Sequence, residues 1–142
     1  IQALAVYFSD INKASDNEQA AASAANTIRR AQSRSQATMS RGEALYSSAC
    51  AACHYNDPAR PNAMRPELSL NSAVLAPEPV NLIRATLEGV SQQEGLPGVM
   101  MPGFADALSN EDLVALFSFL RSHYSDQPAW DNLELRIERQ RN

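Results

Sequence analysis

Large side chains are scarce in this sequence. Four Phe, four Tyr and one Trp amount to 6% of its 142 residues, although 44% are hydrophobic. Such a core is rich in alanine and leucine and short of anchors. Cysteine is nearly missing as well. Cys50 and Cys53 are the only two, three positions apart, so no disulfide is available to tie distant segments together. Basic charge is not in excess, and a net charge of −4 argues against a nucleic-acid partner, whose phosphates call for a positive surface. No apolar run is long enough to cross a bilayer, so any membrane association is expected to be indirect. Strand-like alternation is hard to find anywhere. The length accommodates one domain with flanking segments. Ile1 is no initiator, and the start has no charged n-region, apolar h-region or cleavage site. The chain is therefore expected to be a processed product or a piece of something longer.

What is present is Cys50-Ala51-Ala52-Cys53-His54. Two thiols three positions apart, followed directly by histidine, form the attachment pattern of a c-type haem. Each thiol adds to one haem vinyl group, so both sulfurs must straddle one edge of the ring. One helical turn carrying both does this and aims the next residue, His54, at the iron from one face. Two other chemistries use a CxxC pair, a redox dithiol and half of a zinc site. Zinc wants two further Cys or His ligands, and only His123 remains outside the motif. A redox dithiol belongs in a βαβ context, and nothing here reads as one. One covalently attached haem c is the expected cofactor, and its ring supplies the missing apolar bulk. Covalent haem attachment also points to the outer side of an energised membrane, such as the bacterial periplasm.

Ile1, Leu4, Ala5 and Phe8 have helical spacing. The same stretch aligns weakly with 113–122, pairing Leu4 with Leu116 and Phe8 with Leu120. With the abrupt start, this makes 1–39 the expected remnant of a preceding domain's last helix plus a linker. The linker, Asn12 to Thr38, is rich in Ala, Ser, Asn and Gln and reads as partly helical, with little to bury. The folded domain is expected over 40–125. Ser40-Arg41-Gly42-Glu43 fits a capping box, and Gly42, one turn before Tyr46 on the same face, costs a helix about 1 kcal/mol relative to alanine. That cost implies close approach of another element. Val80, Ile83 and Leu87 mark a second helix that Gly89 terminates. Ser109-Asn110-Glu111-Asp112 caps a last helix with Leu113, Leu116, Phe117 and Leu120 on one face, ending near 123–125. Residues 126–142 are expected to form a tail with a short helix around Leu133 to Ile137.

A haem iron with one histidine needs a sixth ligand if it is to carry electrons without binding substrates, and methionine thioether raises the reduction potential. The candidates are Met39, Met64, Met100 and Met101. Met39 precedes the first helix, and Met64 shares a short loop with His54. Met100 and Met101 sit in a loop shaped by Gly95, Pro97, Gly98, Pro102 and Gly103, which can wrap to the opposite face. His123, in a polar stretch, reads as a surface residue.

Residues 41–125 resemble class I c-type cytochrome domains. The resemblance rests on Gly42, Tyr46, the Cys50–His54 motif, Met101-Pro102-Gly103-Phe104 and the capped last helix. It implies an all-α fold of three to four helices around one covalent haem, with a helical N-terminal extension and a C-terminal tail. It implies Cys50 and Cys53 as attachment sites, His54 as proximal ligand and Met101 as distal ligand. It also sets Gly42 and Tyr46 against Leu116 and Phe119. Pro66, twelve residues after His54, stands where the family has a proline whose carbonyl accepts the histidine Nδ1–H and makes the imidazole more electron-donating. More narrowly, Asn71 to Val74, Ala76 to Pro79 and Asn81 to Arg84 resemble the cytochrome subunits of bacterial periplasmic dehydrogenases. Those are typically three-haem chains, and here only one CxxCH is present. The implied role is a non-enzymatic one. The domain would relay single electrons from an upstream dehydrogenase or haem domain to a downstream oxidase or cytochrome. The alternative is a peroxidase-like enzyme or gas sensor with an open or labile sixth position. Such a site wants a polar acid–base residue over the iron, and the Met100 to Phe104 loop offers none. A third possibility is a domain in which the haem only stabilises packing.

Overall fold

The computed structural model describes residues 17–33, 38–54, 67–91 and 100–141. The expected helix at Ile1 to Ile11, Met64 and Pro66 lie outside them. The described elements are helical: α1 (Asn17–Ser33), α2 (Arg41–Leu45), α3 (Ala51–His54), α4 (Ser72–Leu75), α5 (Val80–Glu88), α6 (Asn110–Tyr124) and α7 (Leu133–Arg141). A wide π-helical turn, Tyr46–Cys50, joins α2 to α3, and a 3₁₀ turn, Leu68–Leu70, precedes α4. Among the described residues the one extended pairing is an antiparallel bridge between Val90 and Met101.

The centre of the fold is α6. Leu113, Leu116, Phe117 and Leu120 are all buried, as their spacing on one face requires. Against them α2 crosses at backbone distance, because Gly42 has no side chain. A Cβ there would stand 2.1 Å from the Ala115 carbonyl oxygen and 2.7 Å from Phe119 Cβ. The partners of Gly42 are thus the Ala115 backbone and Phe119, in place of the expected Leu116. Tyr46, one turn on, packs its ring 5.6 Å from that of Phe119.

Helix starts follow local chemistry. Ser40 Oγ accepts from the Glu43 N–H at 3.1 Å, but Glu43 does not complete the expected box, and its Oε2 is buried with no hydrogen-bond partner. At α6 both halves are made. Ser109 Oγ accepts from the Asp112 N–H, and the Asp112 carboxylate accepts from the Ser109 N–H at 3.1 Å. Arg41 Nη2 donates to the same carboxylate at 2.7 Å, stitching the start of α2 to the start of α6. The Ser109 hydrogen bonds, and after them Arg41, hold the Asp112 carboxyl below the ordinary aspartate pKa. A depressed folded-state pKa contributes stability that is present above the unfolded value and lost as pH falls through the folded one. The Asp112 carboxyl, followed by NMR, should therefore titrate higher in Ser109→Ala. Asp112→Asn should remove this component of acid sensitivity, and an unchanged titration in Ser109→Ala would count against the cap as its cause.

Both flanks of the domain are docked. On the N-terminal side α1 is a helix of 17 residues. Its small Ala31 is buried, and Arg30 pairs with Asp126 at 3.1 Å. On the C-terminal side α7 reaches Arg141 rather than stopping near Ile137, and it buries Leu133 and Ile137. Arg136 pairs with Glu78, and Arg84 Nε donates to Gln140 Oε1 at 2.8 Å. Weak apolar periodicity hides the full length of this helix, because its anchoring is mostly by arginines.

Candidate haem site

The motif occupies the end of the α2–α3 segment. Cys50 closes the π-helical turn, half-buried and packed against the core, while Cys53 lies exposed on α3. The turn carries the Ala51 N–H back to the Tyr46 carbonyl, one residue wider than an α-helix, and such turns concentrate at functional sites. Regular 3.6-residue spacing does not reveal it. His54 ends α3, half-buried. Its backbone carbonyl accepts from the Tyr46 hydroxyl at 2.5 Å, so the aromatic that follows α2 is also a tether for the residue after Cys53. Tyr124 packs against Tyr46 with ring centres 5.7 Å apart and hydrogen-bonds its hydroxyl. Burial raises the pKa of both phenols, keeping them neutral donors.

The two cysteines are free, and their setting bears on which chemistry they serve. Burial, and then the neighbouring Cys53, pushes the Cys50 thiol up to about 11. Reactive dithiols and zinc thiolates need the opposite, a thiol depressed toward neutrality. Among the described residues there is no cluster of three His, Cys, Asp or Glu able to hold a metal ion. Two free thiols on adjoining helical turns, one against an apolar core and one open, are a donor set that suits thioether attachment of a flat apolar ring. The residues present fit haem c.

Met101 is held differently from its neighbour Met100. Its N–H donates to the Val90 carbonyl at 3.1 Å, and its carbonyl accepts from the Val90 N–H at 2.9 Å. Side chains of successive residues in an extended segment point to opposite sides, and here Met100 is 67% exposed while Met101 is half-buried. Two glycines make this placement possible. Gly89 turns with φ 79°, and a Cβ on it would meet the Met101 carbonyl oxygen at 2.5 Å. A Cβ on Gly103 would meet the Leu87 carbonyl oxygen at 2.7 Å. Phe104 and Ala105 then donate their N–H groups to the carbonyls of Thr86 and Leu87, satisfying acceptors that the end of α5 leaves open. Sequence reasoning misses this interlock. Its only signal is the pair of glycines flanking the loop, which read as punctuation.

His123 departs from the expected surface residue. Its ring stacks on Phe119 at 4.9 Å and meets Tyr124 edge-on at 4.7 Å. It faces a cleft of about 210 Å³ shared with Thr27 and Ala31 of α1. Of the predicted site residues, Cys50, Cys53 and His54 share one segment, and Met101 is fixed by α5.

Residues 39–123 match the family model described as Cytochrome c. The chain belongs to the cytochrome c family. As a cytochrome c domain it is all-α, carries covalently attached haem c and serves electron transfer. It is 34% identical over 99 residues to a nicotinate dehydrogenase subunit of Pseudomonas putida, a match covering 68% of this chain and 8% of that protein. It is 31% identical over 88 residues to the cytochrome c subunit of alcohol dehydrogenase (quinone) of Gluconobacter oxydans, covering 60% of this chain and 18% of that subunit. The cytochrome domain thus spans less than a fifth of either relative. No helix among the described residues is long and apolar enough to cross a membrane.

Proposed function

We propose that this cytochrome domain is a non-enzymatic relay that passes single electrons from a periplasmic dehydrogenase, through upstream haems, to a respiratory acceptor. On this reading 40–125 is the last haem domain of a multihaem subunit, 1–39 belongs to what precedes it, and 126–142 completes it. When bound, haem supplies the one-electron couple of its iron, tuned by axial ligands, burial and hydrogen bonding. Cys50 and Cys53 hold the group covalently. His54 ligates the iron from one face, steadied by the Tyr46 hydroxyl on its carbonyl, and Pro66 accepts the imidazole N–H. Met101 ligates from the other.

The observation that supports the relay over an open-site enzyme or sensor is the two-sided pinning of Met101, by the Val90 bridge on one side and by the glycine interlock on the other. A thioether held by backbone bonds stays in place as the iron changes oxidation state, which keeps reorganisation small and excludes small ligands.

The optical spectrum of the oxidised protein tests this through the weak far-red band of methionine-ligated ferric haem. The band should survive Met100→Leu and vanish in Met101→Leu. The Met101→Leu protein should keep its haem, fall in reduction potential and bind carbon monoxide when reduced. Loss of the band in Met100→Leu alone would move the ligand by one residue. A wild type that lacks the band and binds carbon monoxide readily would replace the relay with the open-site reading.

A further inference from the structure

The arginine at the end of α7 reaches back to the segment that follows Met101. Arg141 Nη1 donates to the Ala105 carbonyl, Nη2 to the Leu108 carbonyl at 2.8 Å, and Nε to Asn110 Oδ1 at 2.8 Å. These three acceptors lie along the turn that connects Met101 to α6, and Asn110 is the first residue of that helix. A planar guanidinium is suited to such a task, since its donors form a rigid fork that grips several acceptors in fixed relative positions. Residues 105–107 are exposed, so apolar burial does little to hold this turn. The family match ends at residue 123, and Arg141 lies 18 positions beyond it.

From this geometry we infer that Arg141 is a positioning residue for the Met101 loop: its fork locks the loop's exit, as Val90 and the two glycines lock its entry. The inference rests on Met101 being the iron ligand, and it gives the C-terminal helix a role in the redox site. Between the lock at Ala105 and the thioether lie only Pro102, Gly103 and Phe104. Pro102 is rigid in φ, Gly103 is seated against the end of α5, and Phe104 packs half-buried on the core. Play at Ala105 therefore has little slack to absorb it before it reaches Met101. Release of the fork leaves α7 docked through Leu133, Ile137 and the Arg136–Glu78 pair, so the loop loosens without unfolding the domain.

The test uses the full haem-loaded chain with Arg141→Gln, Arg141→Lys and, as control, Arg84→Gln, which breaks a different tie to α7 at Gln140. Amide hydrogen exchange of Phe104 and Ala105 reads local opening. It should speed up about tenfold in Arg141→Gln, less in Arg141→Lys, and stay near wild type in Arg84→Gln. Uptake of imidazole by the ferric protein requires Met101 to leave the iron, and it should rise about tenfold in the same order. Equal effects in Arg84→Gln and Arg141→Gln would reduce Arg141 to a general stabiliser and overturn the inference. So would unchanged imidazole uptake in a protein whose methionine band is intact. If Arg141→Gln does not fold, Arg141→Lys against Arg84→Gln decides by the same criteria. Should the band survive Met101→Leu, the ligand assignment fails on its own, while the exchange of Phe104 and Ala105 still decides whether Arg141 locks the loop.

Discussion

Gly42→Ala should lower the melting temperature of the haem-loaded protein by roughly 10 °C, through a loss of about 3 kcal/mol. The added Cβ would sit 2.1 Å from the Ala115 carbonyl oxygen and 2.7 Å from Phe119 Cβ. Neither neighbour is the far end of a flexible side chain, so the clash is relieved only by moving α2 off α6. That motion also separates Tyr46 from Phe119, now 5.6 Å apart, and loosens the tether from Tyr46 to the His54 carbonyl. The gain in helix propensity, about 1 kcal/mol at most, is the smaller term. A thermal melt within about 2 °C of the parent would show that α2 and α6 are not in backbone contact.

Arg121→Met should cost a similar amount, about 3 kcal/mol, for a different reason. The Arg121 side chain is buried at 3% exposure. Nη1 donates to the Val74 carbonyl at 2.5 Å and the Ala76 carbonyl at 3.0 Å, and Nε donates to the Pro128 carbonyl at 2.8 Å. The guanidinium also lies 4.3 Å over the Trp130 ring, a cation–π contact. Replacing a buried ion pair by apolar groups is often tolerated because both charges go together. Here the partners are backbone carbonyls, which stay behind. The Ala76 carbonyl keeps a donor in Trp130 Nε1, at 3.0 Å, whereas Val74 and Pro128 lose theirs, each at about 1–3 kcal/mol. Trp130 should become more exposed and its fluorescence red-shifted well before the rest of the domain melts. Arg121→Lys, with one compact ammonium in place of the fork, should recover only part of the loss. Parent-like melting in Arg121→Met would show that water or neighbouring groups satisfy those carbonyls.

Both positions mark how far reading residues in order can go. Gly42 was legible, because a glycine inside a helix calls for a reason and close packing is the usual one. Its partner was displaced by one residue, from Leu116 to Ala115, since side-chain spacing says nothing about which backbone carbonyl faces across. Arg121 was not legible. An arginine near a helix end ordinarily reads as a solvated charge, and its acceptors at Val74 and Ala76 lie 47 and 45 residues away. The same holds for His123, whose aromatic neighbours only the folded chain identifies.

What the sequence by itself determined is whatever depends on covalent spacing and local backbone preference. The Cys50–Cys53–His54 pattern needs only one stretch of helix to define its chemistry. The caps at Ser40 and Ser109 act within four residues, and Gly89 stops α5 because positive φ suits a residue without a Cβ. Met100 and Met101 share a residue type, a loop and flanking proline and glycine signals, so no local property separates them. Tertiary structure decides between them: the Val90 bridge sets the alternation, the interlock of Gly89 and Gly103 with α5 sets the depth, and Arg141 closes the exit. Those contacts join segments far apart in the chain, and the energy that selects them exists only once the backbone groups of both segments are brought together.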